Sequence, residues 1–208
     1  MIGVDIGTTS TKAVLFNTNG EVQQKAQIEY ALHTPRVDVS EQDPDIIVKA
    51  VTETILEVVH KGAVQQDALQ FISFSAQMHS LLLIDEQQRP MTKSMTWADN
   101  RARFAAEDLL NHHDGHGIYQ RTGTPIHAMS PLSKLWWLKQ DETALFEAAT
   151  RYVDIKSYVI YQLTGEWVMD ASNATLDYYE YSIRHYPHSK MWHFQFLHRP
   201  SQSHLNSK

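Results

Sequence analysis

Apolar positions open the chain as two short runs around a polar break. Ile2-Gly3-Val4 meets one acid, Asp5; then come Gly7, Thr8, Thr9 and Ser10, and the apolar run resumes at Ala13-Val14-Leu15-Phe16. Two such runs about a Gly-Thr-Thr-Ser turn predict a hairpin. Asn17-Thr18-Asn19-Gly20 is a second turn signal, and Glu21 to Tyr30 reads as a third strand, giving an antiparallel meander. Residues 31–41 are polar and irregular in pattern. Asp43-Pro44 then has the form of an N-cap with proline in the first turn. Val48, Val51, Ile55 and Val58 recur at spacings of three and four, which predicts an amphipathic helix over 44–61 with Gly62 as its stop.

Beyond this helix, Leu69 to Ser75 reads as a buried strand. Leu81 to Ile84 is another, and a turn from Asp85 to Pro90 leads to a third at Thr92 to Trp97. Helices are predicted at 100–112, 131–140, 143–149 and 155–163, with Tyr152-Val153-Asp154 as a short strand between the last two. Strands first, then helices and strands in alternation, predict an α/β fold with a mixed sheet flanked by helices.

Composition narrows the function classes. At 208 residues and 42% hydrophobic, the chain can bury a sizeable core. The formal net charge is −6 and there is no basic run, so nucleic acid is not an expected partner. There is no cysteine, hence no disulfide framework or thiolate metal site. No run approaches the length of a membrane span, and the first residues carry no basic-then-apolar leader. A cytoplasmic protein without membrane contact is the expectation.

The candidate chemistry starts in the hairpin. Gly7 allows φ > 0 and close approach of a ligand. The hydroxyls of Thr8, Thr9, Ser10 and Thr11, with the turn's N–H groups, offer a cradle for phosphate oxygens. Asp5 at the strand end suits a hydrated Mg²⁺. The competing reading is a plain turn that Asp5 stabilises. Asp5-Ile6-Gly7-Thr8-Thr9-Ser10-Thr11-Lys12 resembles the first phosphate-binding hairpin of the FGGY carbohydrate kinases, members of the sugar kinase, Hsp70 and actin superfamily. The resemblance implies a ribonuclease-H-like fold and use of ATP with Mg²⁺. It assigns cofactor contacts to Asp5, Gly7, Thr8, Thr9, Ser10, Thr11 and Lys12, with Asp5 as the metal ligand.

Two further segments carry polar groups at strand ends. Gln77-Met78-His79 follows the Leu69–Ser75 strand, and His79 can exchange a hydrogen bond with a sugar hydroxyl. A capped loop with a satisfied histidine is the alternative. Trp97-Ala98-Asp99-Asn100-Arg101 opens a helix; Asp99 and Arg101 could bind hydroxyls and a carboxylate, or Asp99 or Asn100 could be an N-cap and Trp97 core. Both segments resemble sugar-contacting stretches of the family, so Gln77, Met78, His79, Trp97, Asp99 and Arg101 are the implied substrate residues. Ser130-Pro131-Leu132-Ser133-Lys134-Leu135-Trp136-Trp137-Leu138 resembles a fourth family stretch, and Trp136 and Trp137 read as core or partner-facing aromatics. The wording of 96–103 and 121–138 is most similar to the gluconokinase branch. His112, His113 and His116 form a candidate metal cluster, but Gly115, Gly117 and Asp114 favour a solvated loop.

The resemblance fades near Ala174. Residues 176–208 hold five of the twelve histidines, two of the twenty-four acids and no glycine. We therefore expect an FGGY-type N-terminal domain over 1–175 and a divergent, frame-shifted or loosely ordered tail over 176–208, without the family's second domain. The family's catalytic Asp belongs to that second domain, so none is expected here. The resulting expectation is the sugar-binding half of an enzyme that phosphorylates a sugar or gluconate-like sugar acid, inactive alone. Its open cleft face would invite self-association. A noncatalytic binding module that keeps only the fold is the second expectation.

Overall fold

In a computed structural model, which describes residues 1–169, β1 (Ile2–Ile6) and β2 (Ser10–Phe16) form the predicted hairpin. β3 (Val22–Glu29) completes the meander. A two-residue strand, β4 (Glu41–Gln42), follows inside the stretch that has no readable pattern. It pairs with β7 (Ser94–Met95), the short centre of the strand expected over Thr92–Trp97. α1 (Pro44–Lys61) has the predicted bounds, because Asp43 Oδ1 accepts from the N–H groups of Asp45 and Ile46 and so caps it.

β5 (Ile72–Ala76) lies parallel to β1, giving a four-stranded mixed sheet in the order β3-β2-β1-β5. The expected buried strand over Leu69–Ser75 is a correction: it starts later, and its residues are half-buried or exposed. Among the described residues it is an edge strand of this sheet, so only one of its edges is paired. α1 packs across β1, β2 and β3, and α6 (Ile155–Thr164) packs against α1 and β5. Ile2, Val4, Ile6, Ala13 and Leu15 bury into this core. The alternate positions of the same strands, including Asp5 and Lys12, point to the other face, as the two-residue period requires.

β6 (Leu82–Ile84) pairs with β8 (Arg151–Val153). Its uninterrupted apolar run has a simple cause. Leu82 and Ile84 enter the first core, while Leu81 and Leu83 enter a second one with Met95, Leu135 and Tyr152. α4 (Pro131–Asp141) and α5 (Thr143–Ala148) cover that second core. α2 (Arg103–His112) begins three residues later than expected and has no side-chain cap.

α3 (Gly115–Thr122) corrects the expected solvated loop. Asp114 accepts from the Gly117 N–H at 3.2 Å and from Arg121 at 3.1 Å, so the residues that suggested a loop instead start a helix. Ile118 anchors it against Leu109 and Leu132. His112 and His113 turn to Asp108 at 3.2 and 3.4 Å. Among the described residues, no three His, Cys, Asp or Glu side chains converge on a metal position. The expected tail over 176–208 lies outside the described residues.

The end of α1 separates two roles of glycine. Gly62 has φ −82°, while Ala63 takes the left-handed φ of 48°. A Cβ on Gly62 would lie 2.4 Å from Leu15 Cδ2 and 2.9 Å from the Val58 carbonyl oxygen. Gly62 is thus needed for close approach to β2, not for its backbone angle. Gly62→Ala is expected to lower stability by about 1–3 kcal/mol through overpacking. Ala63→Gly should raise it by about 1 kcal/mol by relieving the left-handed alanine. Thermal melting of the two variants checks the opposite signs.

Candidate functional site

The hairpin turn is built tightly. The Gly7 N–H donates to the Ser10 carbonyl at 2.9 Å, and a Cβ on Gly7 would sit 3.1 Å from that oxygen. Gly7 is not among the positive-φ glycines, so closeness rather than φ > 0 explains the residue. Asp5 is exposed and lies across from Lys12 on β2 and Ser75 on β5, in one polar row at the strand ends. Thr9 is exposed, and Thr8 and Ser10 are half-buried.

Thr11 departs from the expected cradle. It is fully buried, and its hydroxyl meets the Tyr30 hydroxyl at 3.2 Å. Tyr30 donates its own proton to the Gly7 carbonyl at 2.8 Å, so Thr11 is the donor between the two. Burial pushes the Tyr30 phenol upward; the Thr11 bond opposes this and the Asp5 charge adds to it. The phenol therefore keeps its proton and braces the turn from inside. Alternation along β2 forces this, because Thr11 must point away from Ser10 and Lys12.

Thr8 joins the hairpin to both expected sugar segments. Its hydroxyl donates to Gln77 Oε1 at 3.1 Å and accepts from Trp97 Nε1–H at 3.2 Å. The Gln77 N–H donates to the Ile6 carbonyl at 2.9 Å, which fixes the loop after β5 to the end of β1. Met78 and Trp97 are each 50% exposed beside this junction. His79 adopts φ 62°, a left-handed conformation that histidine tolerates better than most residues. Gln42, which the sequence pattern does not single out, is fully buried under the same junction.

Asp99 and Arg101 are brought together, but on each other. Arg101 Nε donates to Asp99 Oδ1 at 3.0 Å and Nη2 donates to Asp99 Oδ2 at 2.8 Å. Nη2 also reaches Glu41 Oε1 at 2.6 Å. The Asp99 carboxylate has no exposed surface and accepts in addition from the Ser40 N–H at 3.0 Å. Burial lowers the Arg101 pKa, but Asp99 and Glu41 outweigh it and the net shift is upward. Asp99, expected to meet sugar hydroxyls, is enclosed here and holds Arg101. Arg101, also 5.1 Å from the Trp137 ring, commits Nε and Nη2 to Asp99 and Glu41.

Lys134 is a second residue given no role by the pattern. It is fully buried on α4, and its ammonium donates to the carbonyls of His79 at 2.6 Å and Thr96 at 2.8 Å. It therefore ties the end of the Gln77–His79 segment to the residue just before Trp97.

Residues 1–189 match the FGGY family of carbohydrate kinases, N-terminal domain. The chain belongs to this family. The FGGY match runs past the boundary expected at 175. A gluconokinase from Bacillus subtilis (strain 168) is 45% identical over 175 residues, covering 84% of this chain and 34% of that enzyme. A xylulose kinase from Staphylococcus xylosus is 29% identical over 199 residues, covering 96% of this chain and 40% of that enzyme. The crystal structure of a gluconate kinase from Lactobacillus acidophilus superposes with a TM-score of 0.78 at 38% identity, covering 85% of this chain and 35% of that one. The fold is accordingly that of the sugar kinase, Hsp70 and actin superfamily. The chain spans about a third of the length of the curated gluconokinases that it matches.

Proposed function

We propose that this chain is the sugar-binding half of an ATP-dependent kinase acting on a sugar or a gluconate-like sugar acid. The observation that carries this reading is the direct bonding of Thr8 in the hairpin to Gln77 and Trp97. It supports reading the hairpin as a phosphate cradle and the two segments as polyol-facing, because all three meet at Thr8. Similarity to the gluconokinase and the gluconate kinase supports the substrate class.

The donor set fits a hydrated Mg²⁺. Asp5 is an exposed single carboxylate beside the turn, and this ion takes one or two carboxylates with water and phosphate oxygens as its other ligands. When bound, Mg²⁺–ATP supplies the transferable phosphoryl group and neutralises its charge. Asp5 and the turn from Gly7 to Ser10 hold the phosphate end, with Lys12 nearby. Gln77, Met78, His79 and Trp97 orient the polyol, while Arg101 and Asp99 shape the wall behind them. The base that deprotonates the accepting hydroxyl is assigned by family resemblance to a second domain. Among the described residues no helix is long and apolar enough to cross a membrane.

Calorimetry of the folded chain with gluconate, xylulose, ribulose and glycerol is the test. Gluconate is expected to bind most tightly, and silence with all four would remove the reading. Asp5→Asn separates it from a noncatalytic module. On the kinase reading the variant loses Mg²⁺-dependent nucleotide binding at least tenfold; an unchanged variant favours the module.

A further inference from the structure

We propose that Gln42 is a positioning residue that locks the phosphate hairpin and both sugar segments into one hydrogen-bonded unit. Every polar atom of its side chain is used in that link. Nε2 donates to the Thr8 carbonyl at 2.6 Å and to the Gly7 carbonyl at 3.4 Å. Oε1 accepts from Gln77 Nε2. Gln77 Oε1 in turn accepts from the Thr8 hydroxyl, which accepts from the Trp97 indole. The bonds therefore run in one direction from Trp97 through Thr8, Gln77 and Gln42 back to the hairpin carbonyls.

This order leaves no freedom of amide orientation. Turning the Gln42 amide over would set its NH₂ against the Gln77 NH₂ and its oxygen against two carbonyls. Gln42 has no exposed surface, so water cannot replace a lost bond. β4 supports the arrangement, because Gln42 pairs in register with Ser94 on the strand that leads to Trp97. Gln42 itself faces no open surface, so it acts through Gln77 and Thr8. Its use is to fix the distance between a bound hydroxyl and a phosphate, where a displacement of about 1 Å can cost a hundredfold in rate.

The link is tested in the full chain by nuclear magnetic resonance, without any ligand. Gln42→Met keeps the volume and removes the three bonds. The Trp97 indole N–H, assigned with Trp97→Phe, should shift and exchange with solvent at least tenfold faster, although its own hydrogen bond goes to Thr8 and not to residue 42. Thr54→Val is the control. Thr54 is fully buried and bonds only to carbonyls of its own helix, so its loss should lower the melting temperature and leave the Trp97 signal alone. An unmoved Trp97 signal in Gln42→Met overturns the proposal. If that variant does not fold, Thr8→Val reads the link from its other end. Exchange of the Gln42 side-chain amide protons should then accelerate at least threefold, and unchanged exchange overturns the proposal equally.

A second arm rests on the sugar-kinase reading: gluconate affinity should fall at least tenfold in Gln42→Met and stay within twofold in Thr54→Val. If the unaltered chain binds no sugar, that reading fails while the resonance arm still decides the link.

Discussion

Arg101→Met is expected to cost about 3–5 kcal/mol of stability, the range for removing one partner of a buried ion pair. For a domain of ordinary stability this is about a fifth or more of the total. The side chains of Arg101, Glu41 and Asp99 are only 14%, 16% and 0% exposed, so solvent cannot take over the lost partner. The variant leaves two carboxylates facing each other without their shared cation. Glu41→Gln alone should be much milder, because Arg101 keeps its two bonds to Asp99. The decisive measurement is the double variant Arg101→Met, Asp99→Asn. Removing the charge that Arg101 compensates should recover part of the loss, so the two single costs must sum to clearly more than the double cost. Strict additivity in denaturant titrations would show that Arg101 matters only for packing on Trp137. A variant at full stability would show that the cluster is open to solvent and available to ligands after all.

That cluster also marks the limit of what the sequence makes legible. α1 is readable to the residue because all its signals are local: Asp43, Pro44 and an apolar stripe at three and four. The hairpin is readable for the same reason. Glu41 and Gln42 are not, since their partners lie 60 and 35 residues away and β4 is too short to show alternation. The expected roles of Asp99 and Arg101 followed from chemistry alone, and chemistry does not say which ion a carboxylate will meet first. α3 was missed because glycines at 115 and 117 have poor helix propensity, which the Asp114 cap and the burial of Ile118 override. β5 reads as buried because Ile72 and Phe74 are apolar, yet position in a sheet, not composition, decides how much of a strand is covered. The run of hydroxyls from Thr8 to Thr11 is plain in the sequence, but only the strand period shows that Thr11 must point inward.

Lys134→Met should have the second large effect, and on binding as well as stability. Methionine fills the same volume but leaves the His79 and Thr96 carbonyls without their charged donor. A buried acceptor left unsatisfied costs about 1–3 kcal/mol, so the pair predicts a loss of about 2–6 kcal/mol. The functional consequence comes from where the two carbonyls sit. One belongs to His79, whose left-handed backbone persists only while its surroundings hold it; the other immediately precedes Trp97. Without the ammonium, the His79 backbone can relax and the segments 77–79 and 97–101 lose their fixed spacing. On the proposed kinase reading, gluconate affinity, measured well below the melting temperature, should therefore fall at least tenfold. Lys134→Arg should not rescue it, because a planar fork cannot reproduce a compact ammonium between two converging carbonyls. His79→Gly supplies the discriminating partner. It removes the side chain yet accepts φ 62° without strain, so in the Lys134→Met background it should restore part of the stability and little of the binding. Recovery of both would mean that Lys134 serves only to hold strain at residue 79, and the shared clamp on the two segments would have to be given up.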